Sequence, residues 1–154
     1  YRGMKMKEEH IVPLSRQAMV LLEQLKQISG DKELLFHGDH DATKVMSENT
    51  VNSALRAMGY DTKTEVCGHG FRTMARGTLG ESGLWSDDAI ERQLSHTERN
   101  NVRAAYVHTS FYLDERRIMI QWWADYLDYI KGKYEAPFEY AKSHKVVLNL
   151  FFMS

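Results

Sequence analysis

Apolar residues recur along this chain with two different periods, and the changes of period mark its organisation. At the start, "GMKMK" alternates apolar and basic positions and "EHIVPL" gathers β-formers before Pro13, so residues 3–13 are expected to form a hairpin or two short strands. Beyond Pro13 the period becomes helical. Met19, Leu22, Leu25 and Ile28 recur through "RQAMVLLEQLKQIS", with Ser15 as the N-cap and Gly30 as the stop. "LLF" at 34–36 and the following "HGDHDAT" predict a brief strand and a polar loop. Helices are expected in "ENTVNSALRAM", capped by Ser47 and ended by Gly59, and in "HGFRTMARGTL" from about His69. Another is expected in "DDAIERQL", where Ser86 is the cap and two acids occupy the first turn, the place the helix dipole favours them. After a polar break at Thr97–Asn100, "VRAAYV" reads as a short helix.

Asp114 is expected to cap the long "ERRIMIQWWADYLDYI" helix, whose Met119, Trp123, Leu127 and Ile130 form an apolar face widened by Trp122 and Tyr126. Tryptophans at such spacing belong to a core. From Lys131 the register changes again: "KGKYEAPFEYAKSH" is polar and "KVVLNLFF" is β-prone. Residues 131–154 are therefore expected to form a tail whose β-prone end is either an edge strand paired with something or an aggregation hazard. The expected fold class is α+β, mainly α, with a small antiparallel sheet at the N-terminus and a helical body completing residues 1–130.

Composition narrows the function classes. The 154 residues suit one domain with or without a tail, and no apolar run approaches the length of a membrane span. The chain opens on Tyr1 without a signal-peptide pattern, so it is expected to start inside a longer protein. Cys67 is the only cysteine, which rules out an internal disulfide framework, fits a reducing cytoplasm and suits a small buried residue. Twenty basic and 21 acidic residues leave a net charge of −1. With no global field to attract nucleic acid, phosphate binding must come from a local constellation.

Most catalytic motifs are missing. His37 and His40 stand in a loop with Asp39 and Asp41, but no HExxH or paired Cys/His spacing accompanies them, which disfavours a metal site. Neither a GxxxxGK[ST] loop nor a GxGxxG turn is present, and GxSxG is absent. What remains is His69 and Arg72, then His96 in "QLSH", then Tyr106 in "RAAY". At i and i+3, His69 and Arg72 share a helix face and can address one anion, although the same pair alone would suit any solvated helix.

Joint spacing gives this set its meaning. With Lys5 ahead of "HIVPL", the succession "HGFRTMAR", "IERQLSH", "NNVRAAY" and "ERRIMIQWWADYLD" resembles the catalytic domain of tyrosine recombinases, the phage integrases, and most of all those of satellite prophages and genomic islands. The resemblance covers roughly residues 1–130 and implies site-specific DNA recombination. Tyr106 would attack a DNA phosphodiester, expel a 5′ hydroxyl and hold a 3′ phosphotyrosine. Arg72 would bind nonbridging oxygens through its planar fork, while His69 and His96 would donate to the phosphate or move the tyrosine proton. Lys5, with Lys7 as a competitor, would protonate the departing oxygen.

No ATP, metal or other cofactor is implied. The implied partners are double-stranded attachment sites, other protomers in a tetrameric synapse and accessory DNA-bending or directionality proteins, with no membrane; the implied location is the bacterial cytoplasm, at the nucleoid. Tyr112 in "SFYLDERR" is a rival nucleophile, but it adjoins the cap of the long helix and is expected to pack there; His108 reads as a surface residue.

The family also uses a first phosphate-binding arginine well upstream of the lysine, whereas only Arg2 precedes Lys5 here. This chain by itself is thus expected to be a poor recombinase or an inactive one, since losing one preorganised donor costs about 10² to 10³ in rate. Two further readings stay open: a noncatalytic remnant that packs or binds DNA weakly, and DNA relaxation of the type IB topoisomerase kind.

Overall fold

The computed structural model describes residues 11–30, 32–38, 40–95 and 112–144. Six helices account for most of them: α1 (Arg16–Ser29), α2 (Thr50–Ala57), α3 (Gly68–Glu81), α4 (Asp87–Gln93), α5 (Leu113–Ile130) and α6 (Pro137–Ser143). The chain divides into two compact units, residues 16–75 and residues 1–15 together with 76–154.

Among the described residues no strand forms, so the expected N-terminal sheet is not supported. Residues 3–10 of the predicted hairpin lie outside the described part, and Ile11–Ser15 runs as irregular chain. Two local causes are visible: Pro13 has no N–H to give a ladder, and the Ile11 carbonyl accepts from the Arg116 guanidinium. The brief strand expected at 34–36 contracts to an antiparallel bridge between His37 and Val45. Gly38 N–H donates to the Lys44 carbonyl at 2.8 Å and Met46 N–H to the Phe36 carbonyl at 3.0 Å. Asp41 organises the turn between them, its carboxylate accepting from the Thr43 N–H and hydroxyl.

In the 16–75 unit, α1 runs from Arg16 as the period predicts, and Gly30 ends it at φ +69°. Its anticipated inner face is only partly covered: Leu22 and Leu25 are half-buried, whereas Met19 and Ile28 are exposed. α2 starts three residues after the expected cap. Ser47 instead forms a turn, its hydroxyl accepting from Asn49 N–H and its carbonyl from Thr50 N–H, and Gly59 closes the helix at φ +97°. Leu55 is the buried apolar side chain of this unit among the described residues.

The other unit holds the main core. Leu79 of α3, Trp85, Ile90 of α4, and Met119, Trp122 and Tyr126 of α5 meet Tyr140 and Ala141 of α6. Trp122 is the hub. Its ring stacks on Tyr126 one turn on, with centroids 5.5 Å apart and planes 2° from parallel, and meets Trp85 edge-on at 6.1 Å and Tyr140 at 5.5 Å. Neither the Trp85 nor the Trp122 indole N–H finds an acceptor, so packing and ring quadrupoles hold the pair.

The buried stripe of α5 is Arg116, Met119, Trp122 and Tyr126, rotated from the expected one; Trp123 and Ile130 lie at its margin. α6 was not anticipated, although Pro137 at its first turn and the spacing of Pro137, Tyr140 and Ala141 carry the signal. The Tyr126 hydroxyl donates to the Glu135 carbonyl at 2.8 Å and fixes the approach to α6. Trp122→Ala should therefore destabilise the protein by about 3–5 kcal/mol, read as a lowered urea midpoint.

Candidate active site

Of the five residues proposed for chemistry, His69 and Arg72 lie within the described part; Lys5, His96 and Tyr106 lie outside it. His69 is exposed and Arg72 half-buried, one turn apart on α3, so the helix alone is enough to put an imidazole and a guanidinium on one face.

The start of α3 is built from α2. Asn52 Oδ1 accepts from Gly68 N–H at 2.8 Å, satisfying a first-turn donor that the helix itself leaves open. Gly70 N–H turns back to the Cys67 carbonyl at 2.9 Å. Neither Gly68 nor Gly70 uses a left-handed backbone. A methyl group at Gly68 would stand 3.4 Å from the Val51 side chain, an ordinary contact.

The turn before α3 is pinned by Asp61, whose carboxylate accepts from Lys63 N–H and the Thr64 hydroxyl, both at 2.8 Å. Glu65 in turn accepts from Asp61 N–H at 2.6 Å. The Lys63 amide and the Thr64 hydroxyl hold the Asp61 carboxyl below its ordinary range. The folded turn thus favours the ionised form, and its contribution is complete above the unfolded carboxyl's pKa and disappears as pH falls through the lower folded value. Hydrogen-exchange protection of the Lys63 amide should stay constant from about pH 7 to 5 and fall below about pH 4.

α4 and α5 bracket the stretch 96–111 that contains His96 and Tyr106. Ser86 caps α4 as expected, its hydroxyl oxygen accepting from Ala89 N–H. An acid from another helix completes the cap: Glu115 of α5 accepts from Ser86 N–H at 2.7 Å and from its hydroxyl at 3.0 Å. This is the capping-box arrangement with its glutamate supplied by a distant element. Arg116, the next residue, reaches the other end of α4, where its Nε donates to Gln93 Oε1 at 2.9 Å. Midway, Arg76 of α3 pairs with Glu91 at 2.6 Å; half-exposed as it is, that pair adds little stability.

At the edges of the bracketed stretch stand Ser95 at φ +51° and Tyr112 at φ +62°, the non-glycine left-handed residues among those described. Tyr112, not Asp114, is the N-cap residue of α5, and Asp114 instead pairs with Arg117 at 3.0 Å. The Tyr112 hydroxyl donates to Asp88 of α4 at 3.1 Å, so this tyrosine packs against α4.

Glu115 and Arg116 escaped the sequence reading because charges in a helix's first turn read as solvated. The available signal was that Arg116 stands three residues before Met119, on the apolar stripe. Among the described residues no three His, Cys, Asp or Glu side chains gather as metal ligands, and no helix is long and apolar enough to cross a membrane. Glu115→Ala should cost about 1 kcal/mol, measured by chemical denaturation.

Comparison with known proteins bears on the same residues. The model of the phage integrase family matches residues 2–112. The chain is 90% identical over 134 residues to the integrase of Enterobacteria phage P4, covering 87% of this chain and 30% of that protein. It is 64% identical over 142 residues to putative protein IntB of Escherichia coli K12, covering 92% and 36%. With prophage integrase IntA of the same strain the identity is 42% over 122 residues, covering 79% and 29%. The chain thus spans about a third of the length of the curated relatives it matches. No solved structure matches it. The ordered succession from the residues ahead of α1, through His69 and Arg72 on α3, to the start of α5 is covered by that family match: the chain belongs to the phage integrase family.

Proposed function

We propose that the protein carrying this chain recombines DNA at specific sites, integrating and excising a prophage or genomic island through a 3′-phosphotyrosine intermediate. The observation that carries this reading is the placement of His69 and Arg72 one turn apart on α3 in a chain whose family match extends through Tyr106. In the cleavage step the Tyr106 oxygen forms a bond to phosphorus as the bond from phosphorus to the 5′ oxygen breaks. The tyrosine proton passes to a neighbouring base, with His69 and His96 the candidates, and Lys5 gives a proton to the departing 5′ oxygen. Arg72 binds nonbridging oxygens as the phosphate gains charge, a task its bidentate fork suits better than an ammonium would.

Each half of the reaction exchanges one phosphodiester for another, so neither nucleotide hydrolysis nor a metal ion enters the balance. The partners are those that membership of the family implies: duplex attachment sites, further protomers that cleave the remaining strands in a tetramer, and DNA-bending or directionality proteins. This chain by itself is expected to cleave poorly, because Arg2 is its only arginine ahead of Lys5 and cannot serve as the upstream phosphate clamp that the mechanism calls for. Its net charge of −1 agrees with weak DNA affinity in isolation.

The test is a nicked suicide DNA substrate presented to the phage P4 integrase with its matching segment replaced by this chain. A covalent protein–DNA adduct is expected, and Tyr106→Phe should abolish it. An adduct that survives Tyr106→Phe and disappears in Tyr112→Phe would overturn the nucleophile assignment. No adduct with the unsubstituted chain would favour a noncatalytic DNA-binding module.

A further inference from the structure

His69 and Arg72, the pair proposed to face the scissile phosphate, stand at a helix start that its own sequence holds poorly. Gly68 and Gly70 flank His69 in the first turn of α3, and glycine is the poorest helix former after proline. The preceding residue, Cys67, has no side-chain oxygen with which to cap the open N–H groups. Gly70 N–H turns back to the Cys67 carbonyl at 2.9 Å. The donor at the head of the helix, Gly68 N–H, goes instead to Asn52 Oδ1 at 2.8 Å, on α2 and 16 residues earlier. The two helices also meet at this point: a methyl group on Gly68 would stand 3.4 Å from Val51 Cγ1 and 3.6 Å from Asn52 Oδ1.

His69 is the second residue of α3 and Arg72 the fifth. They share a face only while the first turn is helical, and helix ends fray where their open donors lack partners. Asn52, Gly68, His69 and Arg72 all belong to the 16–75 unit. We infer that Asn52 is a positioning residue for strand cleavage: its side-chain carbonyl, acting through the Gly68 amide, holds the first turn of α3 closed and so keeps the His69 imidazole on the face of the Arg72 guanidinium. This inference rests on the function proposed above. It gives α2 a part in the chemistry without any contact of its own with the reacting atoms. An acceptor supplied from α2 does what a capping serine or aspartate at position 67 would do locally, and it also fixes where α3 begins relative to α2.

The experiment uses the same chimeric integrase and suicide substrate, with adduct formation followed in a single turnover at saturating protein and below the melting transition. Asn52→Leu keeps the size of the side chain and removes the acceptor. Asn52→Asp keeps the acceptor, and a carboxylate at a helix N-terminus is favoured by the dipole. Displacing catalytic groups by about 1 Å can cost about 10²-fold, so Asn52→Leu is expected to slow cleavage by about that factor, with DNA affinity unchanged and faster amide exchange at Gly68 and Gly70. Asn52→Asp should keep most of the rate. An asparagine with a merely structural role would lower the melting temperature without slowing the folded protein.

A normal rate in folded Asn52→Leu, or a loss in Asn52→Asp as deep as in Asn52→Leu, would overturn the inference. If Asn52→Leu does not fold, Asn52→Ala, which deletes the acceptor without adding an apolar side chain, decides in its place. No adduct from the unsubstituted chimera would bring down the proposed function and this inference with it, whereas an adduct whose rate is indifferent to Asn52 brings down this inference alone.

Discussion

A helix of seven residues is too short to stand alone in water, and α4 has that length. What keeps it in place is a pair of adjacent side chains on α5. Glu115 accepts from the backbone and hydroxyl of Ser86 at the N-terminal end, where unsatisfied N–H groups and the dipole favour a carboxylate. Arg116 donates to Gln93 at the C-terminal end, where a cation is favoured. The order acid then base along α5 thus matches the polarity of α4. Everything that lies between α4 and α5 in sequence, including His96 and Tyr106, departs from and returns to this clamped pair.

The aromatic core gives the clamp its rigidity. Met119, Trp122 and Tyr126 follow Arg116 on the same stripe of α5, so the side chain that bonds α4 and those that fill the core share one buried face of one helix. Tyr140 and Ala141 of α6 close the far side of Trp122, which makes residues 137–143 a part of this packing rather than a polar appendage. In the 16–75 unit the apolar residues are far less covered, and local hydrogen bonds do more of the ordering. Asn52 opens α3, Asp61 fixes the turn before it, and Gly59 ends α2.

Much was legible in the chain. Gly30 and Gly59 stop helices because each must adopt a positive φ there, and Ser86 followed by two acids announces α4 without reference to anything distant. The pairing of His69 with Arg72 needed only helical periodicity. The family was legible because several weak motifs occur in a fixed order, and the match over residues 2–112 agrees with it. Harder to read were features whose partners lie far off in sequence. Ser47 and Asp114 both look like caps, yet Ser47 closes a turn and Asp114 bonds Arg117, while the caps fall at Asn49 and Tyr112. The β-prone residues ahead of α1 include Ile11, whose carbonyl is taken by a side chain 105 residues on.

The sequence by itself determined the helices α1 to α5, their glycine stops, the serine cap of α4 and the juxtaposition of His69 with Arg72, because those depend on spacings of three or four residues and on local backbone freedom. Only the tertiary structure decided that Glu115 and Arg116 grip the two ends of α4, that Tyr112 is tied to Asp88, and that Tyr140 enters the aromatic core. Each of those depends on which donor meets which acceptor, or which ring meets which face, across tens of residues. Such pairings are fixed by packing, and no local period encodes them.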